Sequence, residues 1–123
     1  MNMTYRYRGE PAHLTALARL TEAAAAAMAG LPVQSLRGPA RGGRSVTQAR
    51  QVAMYLAHVV FGLSFSRVGI CFGRDRTTVR HACRRVEDGR DDARCEFGLA
   101  AIELGLLAMS AALLPAIRTE AVR

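Results

Sequence analysis

The residues with the most chemistry lie between Phe72 and Arg85, in the stretch FGRDRTTVRHACRR. Arg76 can donate two parallel hydrogen bonds to a guanine edge. Thr77 and Thr78 can pack a methyl on thymine or hydrogen-bond, and Asp75 can accept from cytosine. Arg74, Arg80, Arg84 and Arg85 suit phosphate oxygens. Through the same run, Val79, Ala82, Cys83 and Val86 fall at i, i+3, i+4 and i+7, the spacing of one buried helical face. A solvated charge run does not need that stripe. The pattern therefore predicts an amphipathic helix whose outer side carries base-reading and phosphate-binding types. An ordinary helix bundle with a solvated basic face is the plain alternative, and RNA binding is a third. The aromatic residues Tyr55, Phe61, Phe65 and Phe72 are expected to be buried and not available for stacking bases.

The elements that must position this run are legible from punctuation. Residues 1–11 are expected to be disordered. AHLTALARLTEAAAAAMA, 12–29, is a strong helix former, stopped by Gly30 and Pro32. Its alanine run Ala23–Ala27 implies tight packing and no function. VQSL adds a short helical turn, and RGPARGGR, 37–44, is a basic loop. Ser45 or Thr47 is expected to cap the next helix, which runs to about Phe61 and is apolar over most of its circumference. Ser64 caps a short helix with Phe65, Val68 and Phe72 on one face, and Gly73 breaks it. Asp75 or Thr77 then caps the basic helix to about Glu87. Two short helices joined by a glycine turn, the second basic on its outer side, form the layout of a helix-turn-helix.

Composition narrows the class. The chain has 123 residues, half of them hydrophobic, which is enough for one domain with a core. All 17 basic residues are arginine, and net charge is +7. Without lysine there is neither a P-loop lysine nor a Schiff-base amine. From Arg37 to Arg90 there are eleven arginines against Asp75, Glu87 and Asp88, a local charge of +8, which favours a polyanionic partner. Cys71, Cys83 and Cys95 make an odd count with no C-x-x-C pair, so neither a zinc site nor a disulfide framework is expected. His81 and Cys83 are two apart on a helix and point in different directions, which argues against a catalytic or metal pair. No cofactor and no enzymatic activity are expected. The opening residues show no apolar signal-peptide core, and the expectation is a cytoplasmic, nucleoid-associated protein.

The run ARQVAMYLAHVVFGLSFSRVGICFGRDRTTVRHACRRVE, 49–87, resembles the C-terminal DNA-binding domain of the bacterial chromosomal replication initiator, DnaA. The resemblance rests on Ala49, Arg50, Gln51, Ala53–Leu56, Ser64, Gly69, Phe72–Asp75, Thr77–Val79 and His81–Cys83. It extends more loosely over about residues 20–115. It implies an all-α, TrpR-like helix-turn-helix bundle, with an additional apolar C-terminal helix over 93–114 and a helix-turn-helix core over 45–88. It also implies that Asp75, Thr77 and Thr78 read bases, that Arg50 and Gln51 grip phosphates, and that His81 touches the backbone. Arg41 or Arg44 of the basic loop would enter the minor groove. Three departures stand out. Arg76 replaces the family's histidine, exchanging a neutral ring for a permanent cation with a guanine preference. The turn has one glycine fewer, FGRD, which tightens it. No nucleotide-binding ATPase domain is present in these residues, so the expectation is a stand-alone reader of DnaA-box-like double-stranded DNA, with no nucleotide, acting on replication or transcription.

The segment FGLAAIELGLLAMSAALLPAI, 97–117, carries a single charge, Glu103. Glu96, Glu103 and Ser110 repeat every seven residues and form a narrow polar stripe, and Pro115 interrupts the segment near its end. It can close the core, serve a homodimer or protein partner, or anchor a membrane. Ala101 and Gly105 would allow close helix contact in the last two cases. A protein-interaction or membrane-tethering module, with only non-specific DNA contact, is the competing reading of the whole chain.

Overall fold

The structure, a computed structural model, describes residues 11–37 and 43–122, with side chains over 13–37 and 43–112. The expected disorder over 1–11 falls outside these residues except for Pro11, which opens the first helix. Six helices follow one another: α1 (Pro11–Ala29), α2 (Gln34–Arg37), α3 (Gly43–Phe61), α4 (Phe65–Phe72), α5 (Arg76–Gly89) and α6 (Ala93–Val122). There is no strand among the described residues.

α3 is the centre. Val46, Ala49, Ala53, Met54, Tyr55, Leu56, Ala57, Val60 and Phe61 are all buried, so apolar neighbours are needed around most of its girth. α1 covers one side through Leu14, Leu17 and Ala18. Ala25 and Ala26 meet Ala49 and Ala53 in a second apolar cluster with Leu36. Alanine against alanine lets α1 and α3 approach closely, which gives the alanine run its packing role. The expected caps Ser45 and Thr47 do not start α3, which begins earlier, at Gly43. The Thr47 hydroxyl instead donates to the Gly43 carbonyl at 2.9 Å. A hydroxyl one turn inside a helix has that carbonyl within reach.

The α4–α5 unit follows its local signals closely. The Ser64 side chain accepts from the Arg67 N–H at 3.1 Å, and Asp75 accepts from the Thr77 N–H at 3.1 Å. Between them Gly73 adopts φ +65°, the left-handed C-cap. The Arg74 N–H donates to the Gly69 carbonyl at 2.8 Å and closes the turn. Phe61, Val68 and Val79 are fully buried beneath these two helices, while Phe65 and Phe72 are half-buried at the edge. Arg19 of α1 reaches over, donating to the Cys71 carbonyl at 2.7 Å and lying 5.6 Å from the Phe72 ring centre.

α6 is joined to the bundle by charge as well as by packing. Leu99 and Leu106 are buried, and Ile102 and Leu107 lean on the same core. Arg90, in the α5–α6 turn, donates to Glu103 at 2.9 and 3.0 Å and to Glu96 at 2.9 Å. It also donates to the Tyr55 hydroxyl at 2.8 Å, and Tyr55 donates in turn to Glu87 at 2.7 Å. These hydrogen bonds to two carboxylates hold the Arg90 guanidinium firmly protonated, and the same cation keeps the Glu96 carboxyl below its usual range. Glu103 and Ser110 of the polar stripe thus turn toward the bundle, Ser110 buried and donating to the Leu106 carbonyl, while Glu96 stays exposed at the rim and is held there by Arg90. The acidic break DGRDD has a buttress at its centre. α6 also runs on to Val122, beyond the expected end at 114. Pro115 costs one N–H donor without ending the helix.

Gly69 marks the tightest contact of the α4–α5 unit. A Cβ there would collide with the Arg74 backbone carbonyl oxygen, which cannot rotate away. Gly69→Ala is expected to lower stability by about 1–3 kcal/mol, read as a fall in the urea midpoint with unchanged slope.

Candidate nucleic-acid interface

α5 divides cleanly into two sides. Val79, Ala82, Cys83 and Val86 are buried, while Arg76, Thr77, Thr78, Arg80, His81, Arg84 and Arg85 are exposed. Burial pushes the Cys83 thiol up to about 11, in keeping with a packing residue. Asp75 stands at the helix start with one carboxylate oxygen committed to the Thr77 N–H. That bond fixes the orientation of the exposed Arg76–Thr77–Thr78 turn.

Beside this helix lies a cleft of about 470 Å³ between the first turns of α3 and the outer side of α5. α3 contributes Thr47, Arg50 and Gln51, the turn contributes Arg74, and α5 contributes Thr78, His81 and Arg85, over a floor of Met54 and Ala82. Residues 31 apart in sequence, Arg50 and His81, thereby line one concavity. Arg50 is only 5% exposed. Its Nε donates to the Leu36 carbonyl at 3.0 Å, tying α3 to the end of α2. Burial, and after it the Arg74 cation, pull its pKa down, while Glu22 pushes the other way. Two like charges facing one cleft make a positive potential that an anion would relieve. Arg74 is itself oriented by bonds to the Phe72 and Gly73 carbonyls at 3.3 and 3.1 Å.

Of the residues singled out from sequence, Arg50, Gln51, Arg74, Thr78, His81 and Arg85 meet in the cleft. Asp75, Arg76, Thr77, Arg80 and Arg84 lie outside its lining, along or at the start of α5. Arg44 is exposed on the first turn of α3, and Arg41 is outside the described residues. Thr47, read from sequence as a cap, lines the cleft instead. The signal was available, since Thr47, Arg50, Gln51 and Met54 are spaced to share one helical face. Glu22 was not anticipated. It is buried at 2% exposure, where Arg37 donates to it at 2.8 Å and Arg19 lies at 3.6 Å. It anchors the last helical residue before the basic loop.

Comparison with known proteins agrees with this architecture. A stretch of 54 residues is 48% identical to the chromosomal replication initiator protein DnaA of Mycobacteroides abscessus, covering 44% of this chain and 11% of that protein. A stretch of 59 residues is 48% identical to the same-named protein of Bifidobacterium animalis subsp. lactis, covering 47% of this chain and 10% of that one. The chain thus spans about a tenth of the length of the curated relatives it matches. The family model described as the bacterial dnaA protein helix-turn-helix matches residues 22–86, from the α1 carboxylate that holds Arg37 to the last buried valine of α5. With more than half of its residues inside that match and the six-helix arrangement built around it, this chain belongs to the bacterial DnaA helix-turn-helix family.

Proposed function

We propose that the domain binds double-stranded DNA sequence-specifically at sites resembling the DnaA box, and so acts in control of replication initiation or of transcription. One observation carries the reading. The exposed side of α5 adjoins a cationic cleft to which α3 and the turn also contribute, so a duplex with α5 in its major groove would bring a phosphate to the cleft. On this reading Asp75, Arg76, Thr77 and Thr78 meet base edges. Arg50, Gln51, Arg74 and His81 hold the phosphate at the cleft, with Arg85 beside them. Arg80 and Arg84 meet phosphates further along α5. Arg44 or Arg41 enters the adjacent minor groove. The DnaA name of the relatives supports the site class, and no reaction is assigned to the domain.

Selection from random duplexes is expected to enrich one motif, with guanine at the position Arg76 reads. Recovery of no motif would overturn specific reading. Thr78→Ala should relax preference at one position by roughly 1–3 kcal/mol, whereas Arg85→Ala should weaken all duplexes alike and flatten the salt dependence by about one counterion.

Asp75 separates structure from recognition. Asp75→Ala is expected to cost about 1 kcal/mol of stability through loss of the cap, while Asp75→Asn should keep stability. A shift in the selected motif in the Asn variant, with an unchanged unfolding midpoint, assigns the second carboxylate oxygen to the DNA.

A further inference from the structure

Glu22 is the one buried carboxylate among the described residues, and a carboxylate is seldom buried unless a cation meets it. Three guanidiniums gather around it. Arg37 donates to it through Nε at 2.8 Å, Arg19 lies at 3.6 Å, and the carboxylate favours the charged form of Arg50. Two of the three have further anchors. Arg19 donates to the Cys71 carbonyl and lies over the Phe72 ring, and Arg50 donates to the Leu36 carbonyl. Arg37 differs. Its side chain is 48% exposed, and its one side-chain bond among the described residues is that from Nε to Glu22.

A guanidinium holds its N–H donors in one rigid plane. With Nε spent on a buried carboxylate, the edge formed by the two terminal nitrogens is turned away from Glu22. That edge has the fork geometry that suits two oxygens of one phosphate. Arg37 also stands beside the cleft. It follows Leu36, whose carbonyl takes the Arg50 N–H at 3.0 Å, and Arg50 lines the cleft with Arg74 and Arg85. The end of α2 is therefore fastened to the cleft wall, and Arg37 extends the cationic surface past it. Stability alone does not call for a carboxylate at this place, since a well-packed apolar group of similar volume often serves as well as a buried ion pair.

We propose that Glu22 is a positioning residue of the DNA-binding surface: it holds Arg37 by Nε so that the terminal nitrogens grip a backbone phosphate beyond the one at the cleft. The inference rests on the proposed DNA binding. Glu22 itself never touches the duplex. It is a negative charge beneath a surface that takes a polyanion, yet it strengthens binding, because a fork already fixed loses less side-chain freedom on meeting the phosphate than a mobile one.

Duplex affinity of the full chain as a function of salt tests it, with Arg85→Ala as the reference variant and every variant measured where circular dichroism shows it folded. Arg37→Ala is expected to weaken all duplexes alike, roughly tenfold at about 50 mM salt, the gap closing about threefold by about 200 mM as one counterion contact is lost. Arg37→Lys keeps a cation for Glu22 but has no second edge, so the unfolding midpoint should stay while most of the affinity loss remains. Full affinity in Arg37→Lys overturns the grip and leaves Arg37 a counter-ion only. Glu22→Gln removes a negative charge, for which simple electrostatics predicts tighter binding and positioning predicts binding weaker by about threefold or more. That loss should disappear when residue 37 is already alanine, as for two residues acting through one contact. Tighter binding in Glu22→Gln, or an equal loss in both backgrounds, overturns the positioning role. If Arg85→Ala weakens binding and Arg37→Ala does not, this inference falls and the DNA reading stands. A wild-type chain that binds no duplex removes the DNA reading and this inference with it.

Discussion

Four residues that face away from solvent fix everything on the outer side of α5. Val79, Ala82, Cys83 and Val86 are buried against α3 and the base of α4, and a helix with one side spent in this way has its other side determined. The rotation of Thr78, His81 and Arg85 toward the cleft is therefore a packing result. The caps refine it. Ser64, Gly73 and Asp75 set where each of the two helices begins or ends, and the missing side chain at Gly69 sets how closely they meet. The direction in which the outer side chains of α5 leave the helix is thereby set before any contact of their own.

α3 has a second task besides filling the centre. Its first turns supply Thr47, Arg50 and Gln51 to the cleft, and its middle supplies Tyr55 to the Arg90 cluster. The two polar regions lie at different levels of one buried helix. Arg50 reaches α2 and Tyr55 reaches the start of α6, so elements distant in sequence are tied to the same rod. The Arg90 cluster joins α3, α5 and α6 with one cation, two carboxylates directly and a third through the tyrosine.

The local parts of this arrangement were legible in the sequence because their causes are local. The stripe at 79, 82, 83 and 86 has one reading at 3.6 residues per turn, and Ser64, Gly73 and Asp75 have few other uses at helix ends. The loop-proximal and inter-helix parts were not. Arg90 sits inside DGRDD and reads as one charge among acids, because its partners Tyr55 and Glu103 are 35 and 13 residues away. For the same reason the Glu96–Glu103–Ser110 repeat reads only as a narrow polar stripe, with no sign of what it faces. Glu103 turns inward because the Arg90 cation waits there, thirteen residues earlier in the chain, and its own sequence neighbours do not announce it. Arg50 reads as a surface phosphate ligand, and its burial depends on the Leu36 carbonyl coming to its side from α2.

The capping bond at Asp75 has a consequence for how this domain can diverge. One carboxylate oxygen is already engaged with the Thr77 N–H, so replacing the residue by one that cannot cap changes helix integrity together with whatever the other oxygen touches. Its neighbour Arg76 is exposed and carries no capping duty. If these two residues read bases as proposed, a change of preferred sequence is cheap at 76 and, for any residue that cannot cap, costly at 75. Drift in specificity is expected to enter through the unconstrained position while its anchored neighbour stays put.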